Sequence, residues 1–372
     1  MTSPERRPDT TGRGRFVILG AGAVGSHLAH ALHHCRENRI RITIADVDVA
    51  VRDAWAARGV PVMEPAFELA AFAWQETDIV VLATKATAAA SALASVPRRV
   101  PVIVVSNGII EAADLGLRRS LGWGVVDFAA SAEAPGRSVC THPGRLTLGA
   151  YGAGDAPQRL AGAFAGSPIQ ARLISNIDGY RWSKLIFNAS FCPIATLTGQ
   201  TYGHVFAHRP SRRALRRLLS EGVAIARAAG IDLVRVHGNL PSTLARVLGV
   251  PLLSEIAGQI GSREARSIES VMLDDLRRGM PTEVDFLNGH IVRTAQRLGV
   301  PAPAHCRMVQ LIHDLERSGK APGLDRAAEL LAPGRRIWGY RRACAISASR
   351  PPISSTQRPR SSSPSSNPTR GR

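Results

Sequence analysis

Short apolar runs alternate with amphipathic stretches through the first half of the chain. "RFVIL" (15–19), "RITIA" (41–45), "DIVVLAT" (78–84) and "VPVIVVS" (100–106) are nearly unbroken in Val, Ile and Leu. Helical patterns lie between them, up to about His33, near Ala50–Arg58 and near Ala86–Ser95. A strand covered on both faces shows no polar alternation, so these runs predict a parallel sheet with helices on each side. That is a doubly wound α/β layout. From Gly122 to Tyr151 the pattern changes to pieces such as "GWGVVDFAAS" and "PGRLTLGAYG", broken by Gly/Pro turns. These are expected to extend the sheet.

Helical periodicity takes over from Ile177. "SRRALRRLLSEGVAIARAAG" is amphipathic and stops at Gly230, a C-terminal cap residue. "EVDFLNGHIVRTAQRLG" stops likewise at Gly299, with Thr282 placed to cap its start. The expected organisation is a disordered N-terminus (1–14), a sheet domain (15–176), an all-helical domain (177–330) and a disordered tail (331–372).

Charge changes this picture little. The net charge is +18, but residues 334–372 hold nine arginines and no acid, so half of the surplus lies in the tail. That Ser/Pro/Arg-rich tail cannot build a core. No nucleic-acid partner is expected. No apolar run reaches the roughly 20 residues that span a bilayer, and the start does not fit a signal peptide. A cytoplasmic location without membrane attachment is expected. The cysteines (Cys35, Cys140, Cys192, Cys306, Cys344) are odd in number and lack C-x-x-C spacing, which reads as free thiols. His142, His305 and His313 form no ligand spacing, so no metal is expected.

Candidate chemistry starts in "LGAGAVG", where Gly20, Gly22 and Gly25 keep G-x-G-x-x-G spacing between a strand and a helix. The first glycine allows a tight turn, the second a close pyrophosphate, and the third close helix–strand packing. Gly20, Gly22, Ala23, Val24 and Gly25 are therefore the expected dinucleotide-binding residues. Asp46 closes the second strand, where a carboxylate accepts from a ribose 2′-hydroxyl and repels a 2′-phosphate. This favours NADH, with Asp48 and Arg52 close enough to alter the choice. Asp46 also reads as an ordinary strand-end turn residue. Further on, "RWSKLIFNAS" is an apolar helical stretch carrying Lys184 and Asn188 four apart, hence on one face. A buried charge needs a partner or a task. A snorkelling lysine is the alternative.

Several segments together resemble the ketopantoate reductases (2-dehydropantoate 2-reductases). They are "LGAGAVG", "VLATKA" with Lys85, "VSNGI" with Asn107, "PGRLTLG", "WSKLIFNAS", "LTG" and "VMLDDLRRGMPTEVDFLNG" with Glu283, spanning roughly residues 15–320. The resemblance implies a Rossmann-like domain followed by a helical one, with a cleft between them. It implies NAD(P)H as cofactor, NADPH being the family's usual choice, and a small 2-oxo acid as substrate. Lys184 then matches the catalytic general acid. Glu283 matches the glutamate that binds the substrate hydroxyl. Asn107 matches a residue that positions substrate and cofactor, and Asn188 a substrate-side asparagine. Lys85 lies where such sheets bind cofactors. Three positions depart from the family pattern: Cys192, Tyr202 and Val271 stand where polar substrate contacts are usual. Ketopantoate is the first expected substrate and another 2-oxo acid or ketone the second. An inactive dinucleotide sensor is a third reading, and a homodimer is left open.

Overall fold

The computed structural model describes residues 14–35, 40–112, 115, 121–151, 154–319 and 322–331. The N-terminus and basic tail expected to be disordered lie outside these residues, apart from Gly14 and Leu331 at their edges.

The sheet half contains β1 (Arg15–Leu19), α1 (Ala23–His34), β2 (Arg41–Ala45), α2 (Val49–Ala56), β3 (Val62–Met63), α3 (Glu68–Ala71), β4 (Ile79–Leu82), α4 (Ala89–Leu93) and β5 (Val102–Val104). It continues with β6 (Leu121–Val126), β7 (Ala129–Ala134), β8 (Arg137–His142), β9 (Arg145–Tyr151), α5 (Ala156–Ala163) and β10 (Gln170–Leu173). Eight strands form one sheet in the order β10-β9-β6-β5-β4-β1-β2-β3. The six from β3 to β6 run parallel, as the apolar runs predict. Along β1 the side chains alternate between two cores. Phe16 and Ile18 pack with Leu28 and Leu32 of α1, and Val17 and Leu19 pack with Leu69 and Leu93 on the other face. Each fully buried aliphatic contributes about 1.5–3 kcal/mol.

Three expectations need correction. First, β6 pairs antiparallel with β9, so the sheet is mixed beyond that point. Second, only part of 122–151 joins it. β7 and β8 form a separate two-stranded ribbon. Their residues are mostly exposed and polar or small, with no apolar face to bury in a central sheet. Third, the helix expected over Ala86–Ser95 is a short 3₁₀ turn (Ala86–Ala88) followed by the single-turn α4.

The helical half begins at α6 (Ile177–Thr198). It continues through α7 (Tyr202–Ala207), α8 (Arg209–Ala228), α9 (Pro241–Val247), α10 (Pro251–Glu264), α11 (Val271–Arg277), α12 (Val284–Leu298) and α13 (Pro303–Ser318). Sheet and helices belong to one compact unit. The cap of α12 is Glu283, not Thr282, although the Thr282 hydroxyl still accepts from Val284 N at 3.4 Å. No helix among the described residues is long and apolar enough to cross a membrane.

Candidate active site

Gly20, directly after β1, has φ of +90°. A Cβ there would lie 2.9 Å from the Thr84 backbone nitrogen, so the turn requires glycine for both conformation and space. A Cβ on Gly25 would lie 1.9 Å from the Gly20 carbonyl oxygen. Gly22 is the opposite case: it is exposed, and nothing lies within 4 Å of its Cβ position. It caps α1 without a side chain, and the first turn carries no acid. The first N–H groups of α1, with Ala23 and Val24 on its opening turn, are therefore left to an outside acceptor at the positive end of the helix dipole. An open cradle of this kind fits a pyrophosphate.

Asp46 ties this turn to β2. Its Oδ2 accepts from Ala21 N at 2.6 Å and its Oδ1 from Asp48 N at 2.9 Å. Each oxygen keeps a lone pair for a ribose hydroxyl. The nearby Arg52 is already engaged: Nη1 donates to the Asp46 carbonyl at 2.6 Å and to the Glu64 carboxylate.

Beneath the glycine turn, the end of β4 leads through Thr84 to Lys85 and Ala86. Lys85 Nζ is 2.6 Å from Asp275 Oδ1 of α11. Ala86 N donates to Glu283 Oε1 at 3.3 Å, so the start of α12 meets the end of β4. Burial raises the Glu283 pKa, while the Ala86 N–H and the Lys85 charge work against the rise and the Asp275 charge adds to it.

Lys184 and Asn188 project from α6, as their spacing predicts, into a cleft also lined by Ser106, Asn107, Gly108, Trp123 and Arg181. The lysine is partly buried, and its Nζ donates to the Val126 carbonyl at the end of β6. Burial lowers its pKa, with the Asp127 carboxylate first among the groups acting in the opposite sense. Gly108 has φ of +75°, and a Cβ there would lie 2.8 Å from the Phe286 carbonyl oxygen. The loop carrying Asn107 thus abuts α12, and Ile109 N donates to the same carbonyl at 3.3 Å.

Cys192 lies one turn beyond Asn188. Its Sγ is 2.9 Å from Tyr202 Oη, and burial raises the pKa of both groups. The thiol is within electrostatic reach of both Lys184 and Glu283. Val271 does not belong here: its side chain is 62% exposed, and its buried neighbour Ser270 instead donates to the Cys192 carbonyl at 3.2 Å. The expectation that Val271 replaces a substrate contact is therefore corrected.

The structure thus gathers Asn107, Lys184 and Asn188 around one cleft. Glu283, Lys85 and Asp275 form a second group, and the glycine turn with Asp46 a third, joined through Thr84 and Ala86. Three contributors escaped sequence reasoning. Arg181 sits three residues before Lys184, so helical spacing alone could have found it. It stacks on the Trp123 ring at 3.5 Å and pairs with Asp178, and burial brings its pKa down to about 10. Asp275 and Ser270 have no local signal. Of the histidines, His305 is fully buried and His313 sits 3.2 Å from Asp285. No cluster of three metal-ligating side chains occurs among the described residues.

Comparison with known proteins agrees with this fold. The model of the ketopantoate reductase PanE/ApbA family matches residues 16–153, and that of its C-terminal part matches residues 176–316. A 2-dehydropantoate 2-reductase of Pyrococcus abyssi is 26% identical over 313 residues, covering 81% of this chain and 98% of that protein. Among solved structures, a ketopantoate reductase of Ralstonia eutropha JMP134 superposes with a TM-score of 0.67 at 23% identity, over 82% of this chain and 99% of that one. D-mandelate dehydrogenase in complex with NADH and anilino(oxo)acetate gives a TM-score of 0.66 at 19% identity, over 82% and 99% of the two chains. Both share the fold. The family match makes the chain a nicotinamide-dependent oxidoreductase. The chain belongs to the ketopantoate reductase family, whose members are NAD(P)-dependent oxidoreductases acting on CH–OH groups.

Proposed function

We propose that this protein reduces a small 2-oxo acid, 2-dehydropantoate first among them, to the 2-hydroxy acid. One observation carries the reading: a partly buried ammonium, Lys184, opens onto the same cleft as Asn107 and Asn188. Gly20, Gly22, Ala23, Val24 and Gly25 would hold the pyrophosphate, Asp46 the ribose, and Lys85 and Asn107 the far end of the dinucleotide. When bound, the reduced nicotinamide supplies a hydride to the carbonyl carbon.

Lys184 meets the carbonyl oxygen, stabilises the charge that develops there and donates a proton to it. Its lowered pKa makes that transfer easier. The neutral amine then recovers a proton from water. Arg181, at the same cleft, is suited to the substrate carboxylate, because a guanidinium holds a carboxylate through paired hydrogen bonds. Asn188 orients the substrate from the lysine face. Glu283 accepts from a substrate hydroxyl. A two-domain division at residues 176/177, with catalysis between the parts, belongs to this reading.

A second substrate reading has its own support. Cys192 and Tyr202 bond to each other, so neither offers the free amide that a hydroxylated substrate would use. A substrate with an apolar branch in place of the hydroxyl suits such a wall. Turnover of reduced nicotinamide, followed by absorbance, separates the readings. 2-Dehydropantoate should give the highest kcat/KM in a panel with 3-methyl-2-oxobutanoate and phenylglyoxylate. A preference for the unhydroxylated acids would move the assignment to the second reading. Dinucleotide binding without reduction of any of them would make the protein a sensor and end both.

A further inference from the structure

Helix α8 gathers arginines on one stripe. Arg209, Arg212, Arg213, Arg216 and Arg217 recur at intervals of three and four, away from the buried Ala214, Leu215 and Leu218. Like charges one turn apart destabilise a helix. Arg209 with Arg213, Arg212 with Arg216, and Arg213 with Arg217 are such pairs. The stripe forms one wall of a cavity of about 870 Å³, bounded also by the junction of α9 and α10 and by the approach to α13. Small-molecule sites run from about 300 to 1,000 Å³. The cavity shares no lining residue with the Lys184 cleft.

Part of the charge is spent within the protein. Glu255 of α10 holds Arg209 at 2.8 Å and Arg212 at 2.7 Å. Arg217 Nη1 donates to the Leu330 carbonyl at 2.9 Å. Glu221 turns to α13, accepting from Ala304 N at 2.9 Å and His305 N at 2.8 Å. The remainder is unmet. Arg213 and Arg216 are exposed and form no hydrogen bond or ion pair with a described residue. Arg216 reaches the far wall, where a Cβ on Gly249 would lie 3.2 Å from its Nε. Arg212 is 4% exposed, yet its Nε has no acceptor among the described residues. Five arginines against two glutamates leave three positive charges in excess. α10 starts at this cavity without a side-chain cap or an acid in its first turn, so its positive dipole end adds to the excess. Residues 332–372 contain no acid that could neutralise it.

We infer that this cavity binds a small anion carrying a diphosphate. Guanidinium forks match phosphate oxygens through paired hydrogen bonds. One phosphate monoester carries about −1.5 to −2 at neutral pH, so two phosphate groups are needed to match the excess. Arg213 and Arg216, three apart on the helix and without other partners, are the clamp. Arg212 and Glu255 fix the wall between α8 and α10. The cavity is bounded on several sides, which suits a small molecule rather than a polymer.

Calorimetric titration of the full chain with inorganic pyrophosphate tests the inference, with NADH at saturation so that the glycine turn is filled. Pyrophosphate should bind once per chain, at least about tenfold more tightly than orthophosphate. Arg213→Ala and Arg216→Ala should each weaken it about tenfold, roughly one charge-assisted hydrogen bond. Both side chains are exposed, so circular dichroism and NADH affinity should not change. Arg216→Lys keeps the charge without the fork and should fall between wild type and alanine. No preference for pyrophosphate over orthophosphate would overturn the assignment. So would binding that neither alanine variant weakens, because the anion would then sit elsewhere. An RNA oligonucleotide that binds more tightly than pyrophosphate through the same two arginines would overturn it too, giving the stripe to nucleic acid.

Discussion

The side-chain amide of Asn288 donates to the carbonyl of Ala189 at 2.8 Å, and that carbonyl is the one Pro193 leaves without its helical donor. A proline inside α6 thus opens a gap four residues back, and α12 fills it. The same amide reaches His305 Nδ1 at 3.0 Å, whose Nε2 then donates to the Leu218 carbonyl at 3.1 Å. Three helices are locked to the one that carries Lys184. Asn288→Ala should destabilise the fold by about 1–3 kcal/mol, because it leaves a buried acceptor unmet. Denaturant unfolding at neutral pH measures this. A loss within a few tenths would show that the carbonyl finds water instead.

His305 also sets a pH dependence. Burial lowers its pKa from 6.5 to about 4. The unfolded chain therefore binds a proton first as pH falls. Stability is whole above pH 6.5 and is lost from there down toward about 4, at about 1.4 kcal/mol per pH unit for one histidine. His305→Gln should flatten the slope of unfolding free energy in that window by this amount, whatever it does to stability at neutral pH. An unchanged slope would mean that His305 does not titrate on unfolding as described.

Lys184→Ala is expected to bind dinucleotide and to lose about 10²–10⁴ in kcat, the usual worth of a positioned proton donor. In the wild type, kcat/KM should fall on the alkaline side with a midpoint below 10.5, since burial lowers the lysine pKa. Fluorescence titration of the cofactor and a pH–rate profile measure the two effects. A variant with near-normal kcat would remove the lysine from the reaction.

Cofactor choice should turn on a pair outside the cleft. Arg52 is held through Nη1 by Glu64 and by the Asp46 carbonyl, which keeps that arm of its guanidinium from a 2′-phosphate. NADH should be preferred. Glu64→Ala should free the arginine and raise kcat/KM for NADPH about tenfold, roughly one charge-assisted hydrogen bond. If the ratio of the two cofactors stays fixed in steady-state assays, Arg52 plays no part in the choice.

The wall formed by Cys192 and Tyr202 makes a substrate prediction. Cys192→Asn restores an amide there. It should raise kcat/KM for 2-dehydropantoate relative to 3-methyl-2-oxobutanoate by about tenfold, within the range of one buried polar contact. Competition between the two acids reads this directly.

The glycine turn and the lysine helix were legible because their meaning is local. Gly20, Gly22 and Gly25 encode backbone geometry within six residues, and Lys184 and Asn188 share a face by helical spacing alone. Partners distant in the chain were not legible. Nothing near Lys85 announces Asp275, which is 190 residues away. Nothing near Arg52 tells whether it meets a phosphate or Glu64. The ribbon β7–β8 was misassigned because a weak strand pattern does not say which edge it will pair with. β10 passed unnoticed, since "QARL" lacks the β-branched run that marked the other strands.

Val126, the last residue of β6, receives the Lys184 ammonium from across the cleft. Strand and helix must therefore be in contact for the amine to stay dry. Any hinge movement that parts them breaks this bond and lets water reach the nitrogen, where hydration restores its ordinary basicity. In the proposed reaction, the acid strength of the amine would therefore depend on contact between β6 and α6.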